Sequence, residues 1–143
     1  MIFDAQALFS DAQAITATAA STNIIDLGAP GTPKHAAAAI TQDVGRGRPV
    51  PLRIQVVEAF NNLTSLAIAV QVDDNAAFSS AKTVQTTTVL LADLVAGKVV
   101  LPEYVPRGAD ERYMRLYYTV TGTAPTTGKV TAGLVAGADG WAA

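Results

Sequence analysis

Period-two alternation constrains this chain more than any other feature of its sequence. Leu52, Ile54 and Val56 alternate with Arg53, Gln55 and Val57. Leu66, Ile68, Val70 and Val72 alternate with Ala67, Ala69, Gln71 and Asp73. Met114, Leu116, Tyr118 and Val120 alternate with Tyr113, Arg115, Tyr117 and Thr119. Successive side chains of a strand point to opposite faces, so each segment has one large apolar face and one mixed face. No stretch of useful length shows helical periodicity.

Other segments follow the same logic less strongly. Residues 82–90 are rich in Thr and Val, which suit a pleated surface. Residues 99–105 are crossed by Pro102 and predict an edge or interrupted strand. Residues 129–135 alternate Val130, Ala132 and Leu134 with Thr131 and Gly133. Upstream, residues 14–18 and 23–27 are short strand candidates joined through 19–22. Turns are signalled at Asn61-Asn62, Asp73-Asp74-Asn75, Ala96-Gly97-Lys98, Arg107-Gly108-Ala109-Asp110 and from Gly122 to Gly128. The best helix candidates are residues 91–96, about one turn, and the alanine run 35–40. About six to eight short strands with regular turns indicate an all-β sandwich or barrel.

Two regions depart from this plan. Residues 1–13 hold Phe3, Leu8 and Phe9 among small polar residues and predict an N-terminal arm, a first strand or one short helix. Residues 28–51 form a long Gly/Pro/Ala-rich loop. Unstructured loops beyond ~12–15 residues are usually functional or disordered. This one is the best candidate for a partner-binding loop, with a mobile surface loop as the alternative.

The chain has 143 residues, which fits one domain, 1–143. A monomer of this size exposes roughly 7,000 Å² and buries about two thirds of its unfolded surface, enough for a hydrophobic core. Charged residues make up 15%, against the roughly 25% usual for soluble domains, which suggests surface hidden against partners. Ten basic and twelve acidic residues leave a net charge of −2, so no basic balance argues for nucleic acid. Cysteine is absent, which excludes disulfides and thiolate chemistry and suggests synthesis in a reducing cytoplasm. The acidic start Met1-Ile2-Phe3-Asp4 does not resemble a signal peptide. Apolar runs fall short of the ~20 residues that span a bilayer, so no membrane partner is expected. Asn62-Leu63-Thr64 matches a glycosylation acceptor but is read as chance.

Little in the sequence carries chemistry. The single histidine, His35, sits between Pro33-Lys34 and four alanines. A catalytic triad would need it held rigidly, and a zinc site would need more ligands than one His and no Cys supply. Asp73-Asp74-Asn75 could supply oxygens to calcium, yet the spacing is not that of an EF-hand, and a polar turn is the simpler reading. Gly45-Arg46-Gly47-Arg48 lacks the Lys-Ser/Thr of a phosphate loop; its arginines suit the carboxylates of a protein partner. Tyr113, Tyr117, Tyr118 and Trp141 could form a sugar platform, pack against a neighbouring subunit, or simply pack within the sheet. The chain is therefore expected to be no enzyme and to hold no cofactor or metal.

An ordered set of residues resembles a known family. It comprises Met1-Ile2-Phe3-Asp4, the run from Ser10 to Asn23, Ile25-Asp26-Leu27-Gly28, and Gly45-Arg46-Gly47. It continues with Asp73-Asp74-Asn75, Phe78-Ser79-Ser80, Pro106-Arg107-Gly108, the run from Arg112 to Val120 and that from Gly128 to Leu134. Over nearly its whole length the chain resembles the Bordetella-phage type of capsid cement (decoration) protein of tailed phages. The stretch 29–43 is longer than that resemblance leads one to expect. The resemblance implies a jelly-roll-like antiparallel β-sandwich on the outer surface of an icosahedral head. The protein would be made in the host bacterial cytoplasm. It would bridge subunits of the major capsid protein, and would form a symmetric homo-oligomer, a dimer or trimer. The family carries no agreed site residues. The contact residues read from this sequence are Phe3 and Phe9 on the arm, Lys34, Arg46 and Arg48 in the long loop, Arg107 and Arg112 in the 106–112 loop, and Tyr113, Arg115 and Tyr117 on the following strand. The rival readings are a carbohydrate-binding or adhesin-type module and a tail or neck component.

Overall fold

A computed structural model describes residues 3–136. Among the described residues nine strands run in chain order: β1 Phe3–Ala14, β2 Ala19–Ala20, β3 Ile25–Asp26, β4 Leu52–Glu58, β5 Leu63–Asp73, β6 Lys82–Leu90, β7 Val99–Val100, β8 Tyr113–Gly122 and β9 Lys129–Val135. They form two antiparallel sheets. The first has four strands in the order β1-β9-β4-β7. The second has five, ordered β2-β8-β5-β6, with β3 also paired to β8. The sheets pack face to face as the expected all-β sandwich.

The alternation explains the packing. Register sets Leu66 opposite Val120, Ile68 opposite Tyr118, Val70 opposite Leu116 and Val72 opposite Met114. In the facing sheet Ile54 lies opposite Ala132 and Val56 opposite Val130. Nearly all of these side chains are buried in one core that also takes in Phe9, Leu52 and Ile15. Each large apolar side chain so buried contributes about 1.5–3 kcal/mol. A one-residue slip would turn the whole row outward, so the register is strongly specified.

Three segments differ from the sequence expectation, and two others take one of the alternatives it allowed. The N-terminal segment takes the first-strand alternative and not the arm: β1 pairs with β9 from Phe3 opposite Val135 to Ala14 opposite Lys129, and Phe9 is fully buried. Residues 14–18 are not a strand. Ala14 ends β1, Ile15 turns into the core, and Thr18 Oγ1 accepts the Val120 N–H at 3.0 Å, so pairing resumes only at Ala19. The alanine run 35–40 forms no helix. A helix nucleus costs more than a few residues return, and here the run is wholly exposed, with Ala36 N–H donating to Pro33 O in a turn. The edge or interrupted strand expected over 99–105 is present: β7 ends its sheet and stops at Val100, Pro102 cannot donate to a ladder, and an isolated Pro51–Tyr104 bridge follows. The turn at 91–96 shrinks to a 3₁₀ turn, Leu91–Asp93.

The two flanks of the sandwich are built differently. On one, β1 of the four-stranded sheet meets β2 and β3 of the other, and polar groups cross the gap. Asn23 N–H donates to Phe9 O at 3.0 Å. The Gln13 amide donates to Ala20 O at 3.0 Å and accepts from Thr22 N–H at 3.0 Å and from Ser10 Oγ at 2.6 Å. Ser10 Oγ in turn bonds Tyr118 Oη at 2.8 Å, both groups being fully buried. On the other flank, β6 ends the five-stranded sheet and the two-residue β7 ends its partner.

Candidate docking surface

The long loop contains no helix or strand from 28 to 50, yet its second half is tied to the 106–112 loop. Asp43 organises the join. One carboxylate oxygen accepts Gly45 N–H at 2.9 Å; the other accepts Gly108 N–H at 3.0 Å and lies 3.6 Å from Arg46 Nε. Val44 N–H donates to Ala109 O at 3.1 Å. A Cβ on Gly45 would lie 2.0 Å from Pro106 O, so this approach requires glycine. The structure thereby brings together Arg46 and Arg107, which the sequence placed in separate loops. Arg46, Arg48 and Arg107 are exposed. An open pocket of about 400 Å³ beside them is lined by Thr41, Gln42, Asp43, Arg46 and Asp110. Lys34 is exposed in the turn 33–36.

Carboxylates brace this end of the molecule. Asp26 on β3 receives both Nε and an Nη of Arg112 at 2.9 Å and Gly28 N–H at 2.8 Å. The Arg112 guanidinium, followed by the Gly28 amide, holds the Asp26 pKa down at about 2. Lys82 meets Asp110 at 2.9 Å, which lowers that acid. Burial alone would raise the pKa of Asp73, but the amides of Ser80 and Asn75, the Asp74 side chain and the Ser80 hydroxyl outweigh it and lower it. Asp73 thus pins the 74–81 turn, as a polar turn residue would. Glu111 is raised, by burial first and then by Asp73, Asp110 and Asp74. Among the described residues no group of three or more His, Cys, Asp or Glu could hold a metal ion. His35 lies exposed in the long loop with φ at 68°.

Tyr113, Arg115 and Tyr117 line the outer face of the five-stranded sheet, because β8 alternates them with the buried Met114, Leu116 and Tyr118. Arg115 is fixed there. Its Nε donates to Gln71 Oε1 at 2.9 Å, and its guanidinium lies 4.2 Å from the Phe78 ring centre and 5.3 Å from that of Tyr117. Gln71 continues across the sheet to Thr83 at 3.4 Å. Arg112 covers Tyr113 at 5.0 Å. Next to this stripe the face is small and uncharged: Ala67 and Ala69 lie opposite Thr119 and Tyr117 on one side and Thr88 and Thr86 on the other.

One expected contact residue and one candidate platform residue change role. Phe9 is core, since β1 directs it inward, and is not available to a partner. Tyr118 leaves the aromatic platform for the same reason; burial raises its pKa. Phe3 is half-buried at the start of β1. Trp141 lies outside the described residues. Sequence reading missed Asp43, Asp26, Gln71 and Phe78, which position the cations. Asp43 two residues ahead of a glycine carried a weak signal for a side chain capping its own turn.

These features define a class: an antiparallel two-sheet β-sandwich with one end built from interlocked, arginine-bearing loops. The Bbp16 family model matches residues 9–134, from within β1 to within β9, and the chain belongs to that family. The family is named in the manner of a Bordetella phage protein, which makes this a phage-related protein. No curated protein matches the chain.

Proposed function

We propose that the chain is a capsid cement protein that binds the outside of a tailed-phage head and joins neighbouring subunits of the major capsid protein. The observation that carries this reading is the interlocked end. There, Arg46, Arg48 and Arg107 stand exposed on loops that Asp43 and the Gly45–Pro106 approach hold together. Contacts held in advance lose less freedom on docking than mobile ones. On a symmetric lattice, several modest contacts made at once raise the effective concentration and give strong capture. The low-charge outer face adds Tyr117 and the clamped Arg115, residue types favoured at protein interfaces. A symmetric homo-oligomer, dimer or trimer, would multiply the contacts further. The protein acts without catalysis, cofactor, metal, nucleic acid or membrane, and resides on the virion after synthesis in the bacterial cytoplasm.

Co-sedimentation with mature, undecorated heads tests the reading. Saturable binding at a fixed ratio to the capsid protein is expected. Arg46→Ala with Arg48→Ala is expected to weaken it with little change in thermal stability, because both side chains are exposed. Absence of binding to competent heads overturns the reading. A glycan-binding module is the second reading. It is favoured by one observation, the half-buried Tyr117 on the outer sheet face beside the Arg115–Gln71 pair, and it requires saturable binding of a glycan that Tyr117→Ala abolishes.

A further inference from the structure

Among the described residues, the flank formed by β6 and β7 has no counterpart to the Gln13 network. β6 is nine residues long and ends its sheet, so among the described residues nothing pairs with its outer edge. Such an edge presents a row of backbone donors and acceptors, which natural proteins usually blunt with charge, proline or a bulge turned outward. Lys82 and an irregularity at Val84 blunt only the start of β6; from Gln85 to Leu90 the pairing is regular and no charged residue or proline occurs. Beside the edge runs a groove of about 340 Å³ between the sheets, lined by Thr87 to Leu90 on one wall and Lys98 to Leu101 on the other, with Asp93. Leu90 and Leu101 at its rim are each 59% exposed, and Val95 nearby is 51% exposed. The charges of Asp93 and Lys98 offset one another.

We propose that this flank is a strand acceptor, in which an extended, uncharged segment of the capsid subunit adds to β6 and lays alternate apolar side chains in the groove. The proposal rests on the cement reading for the identity of the partner. Unpaired backbone on a free edge is complemented by another strand, and a gap between sheets by that strand's inward row; strand addition supplies both. A second copy of this chain fits less well. Its long uncharged edge is its own β6, whose inward Val89 is already committed to its own core, and its other long end strand, β1, carries Asp4 and Asp11. Two such edges would pair and leave both grooves unfilled. A separate segment brings side chains that are not otherwise engaged.

The test uses the full chain and undecorated heads. In amide hydrogen exchange, the outward half of the β6 amides should exchange freely in the free protein and gain protection on heads. Leu90→Glu with Leu101→Glu should weaken head binding by about tenfold or more, as expected for desolvated apolar anchors. The exchange measurement on the unsubstituted chain does not depend on how the variant folds. If the unsubstituted chain binds heads while β6 stays unprotected and the double variant binds equally, strand addition is overturned and the cement reading stands. If the variant instead turns an oligomer into a monomer at unchanged head affinity, the edge joins copies and the proposal is overturned. If the unsubstituted chain does not bind heads, both fall.

Discussion

The two flanks solve the same problem in opposite ways. Every open sandwich has strand edges with unsatisfied backbone groups. On the β1/β2/β3 flank several are met internally: Asn23 N–H donates to Phe9 O, Gln13 serves both sheets, Ser10 and Tyr118 join through the core, and Ser21 N–H donates to Leu116 O at 2.8 Å. On the β6/β7 flank they are left to the outside. The first flank is costly to disturb because Ser10, Ser21 and Tyr118 are buried and its polar groups are mutually dependent. The second can change at little cost to the fold, because Leu90 and Leu101 there are already largely in water.

The largest expected effect is that of Phe9→Ala, which should lose about 3–5 kcal/mol in urea unfolding, as buried Phe truncations do. A loss below ~1 kcal/mol would mean that β1 is an arm after all, and the contrast between flanks would collapse. Gln13→Ala should cost less, about 1–2 kcal/mol, because it strands Ala20 O and the Thr22 amide, while Ser10 keeps Tyr118. An unchanged midpoint would show that water replaces the amide and that this flank is not internally closed.

Acid sharpens the comparison next. Asp26 ties the β3 end of the closed flank to Arg112, and its pKa falls from 3.8 to about 2. A carboxylate with a depressed folded pKa contributes stability that is fully present above its unfolded value and lost as pH falls through the folded one. Loosening of β3 is therefore expected between about pH 4 and pH 2, read as faster exchange of the Leu27 amide, which donates to Arg112 O. Asp26→Asn should move that loss into neutral pH. The smallest effect is expected from Leu90→Glu with Leu101→Glu, within about 0.5 kcal/mol, because both side chains are already largely in water. A loss of several kcal/mol would show that the second flank is as integral as the first.

Much of the sandwich was legible before any coordinates. The alternations over 52–57, 66–73 and 113–120 placed β4, β5 and β8 and assigned their inward rows, since burial on one face enforces a period of two. The N-terminal segment was ambiguous because Phe3, Leu8 and Phe9 follow no single period. The reason lies in the register of β1, which shifts between Phe3 and Leu8, between Leu8 and Ser10 and between Ser10 and Gln13. Each shift breaks the pattern that a reader of sequence would count. In the docking surface the arginines were visible by type. Their supports were not, because Asp43 meets Gly108 across 65 positions, and Arg112 meets Asp26 across 86.

Sequence alone determined that the chain is all-β, which faces of its main strands turn inward, and that thiol chemistry is excluded. These follow from local rules: side-chain alternation, turn chemistry and residue inventory. Tertiary structure alone decided which strands become edges, which flank closes on itself, and which distant loops lock together around Asp43. Those outcomes depend on pairings between residues far apart in the chain, and a pairing leaves no mark on either partner until both are in place.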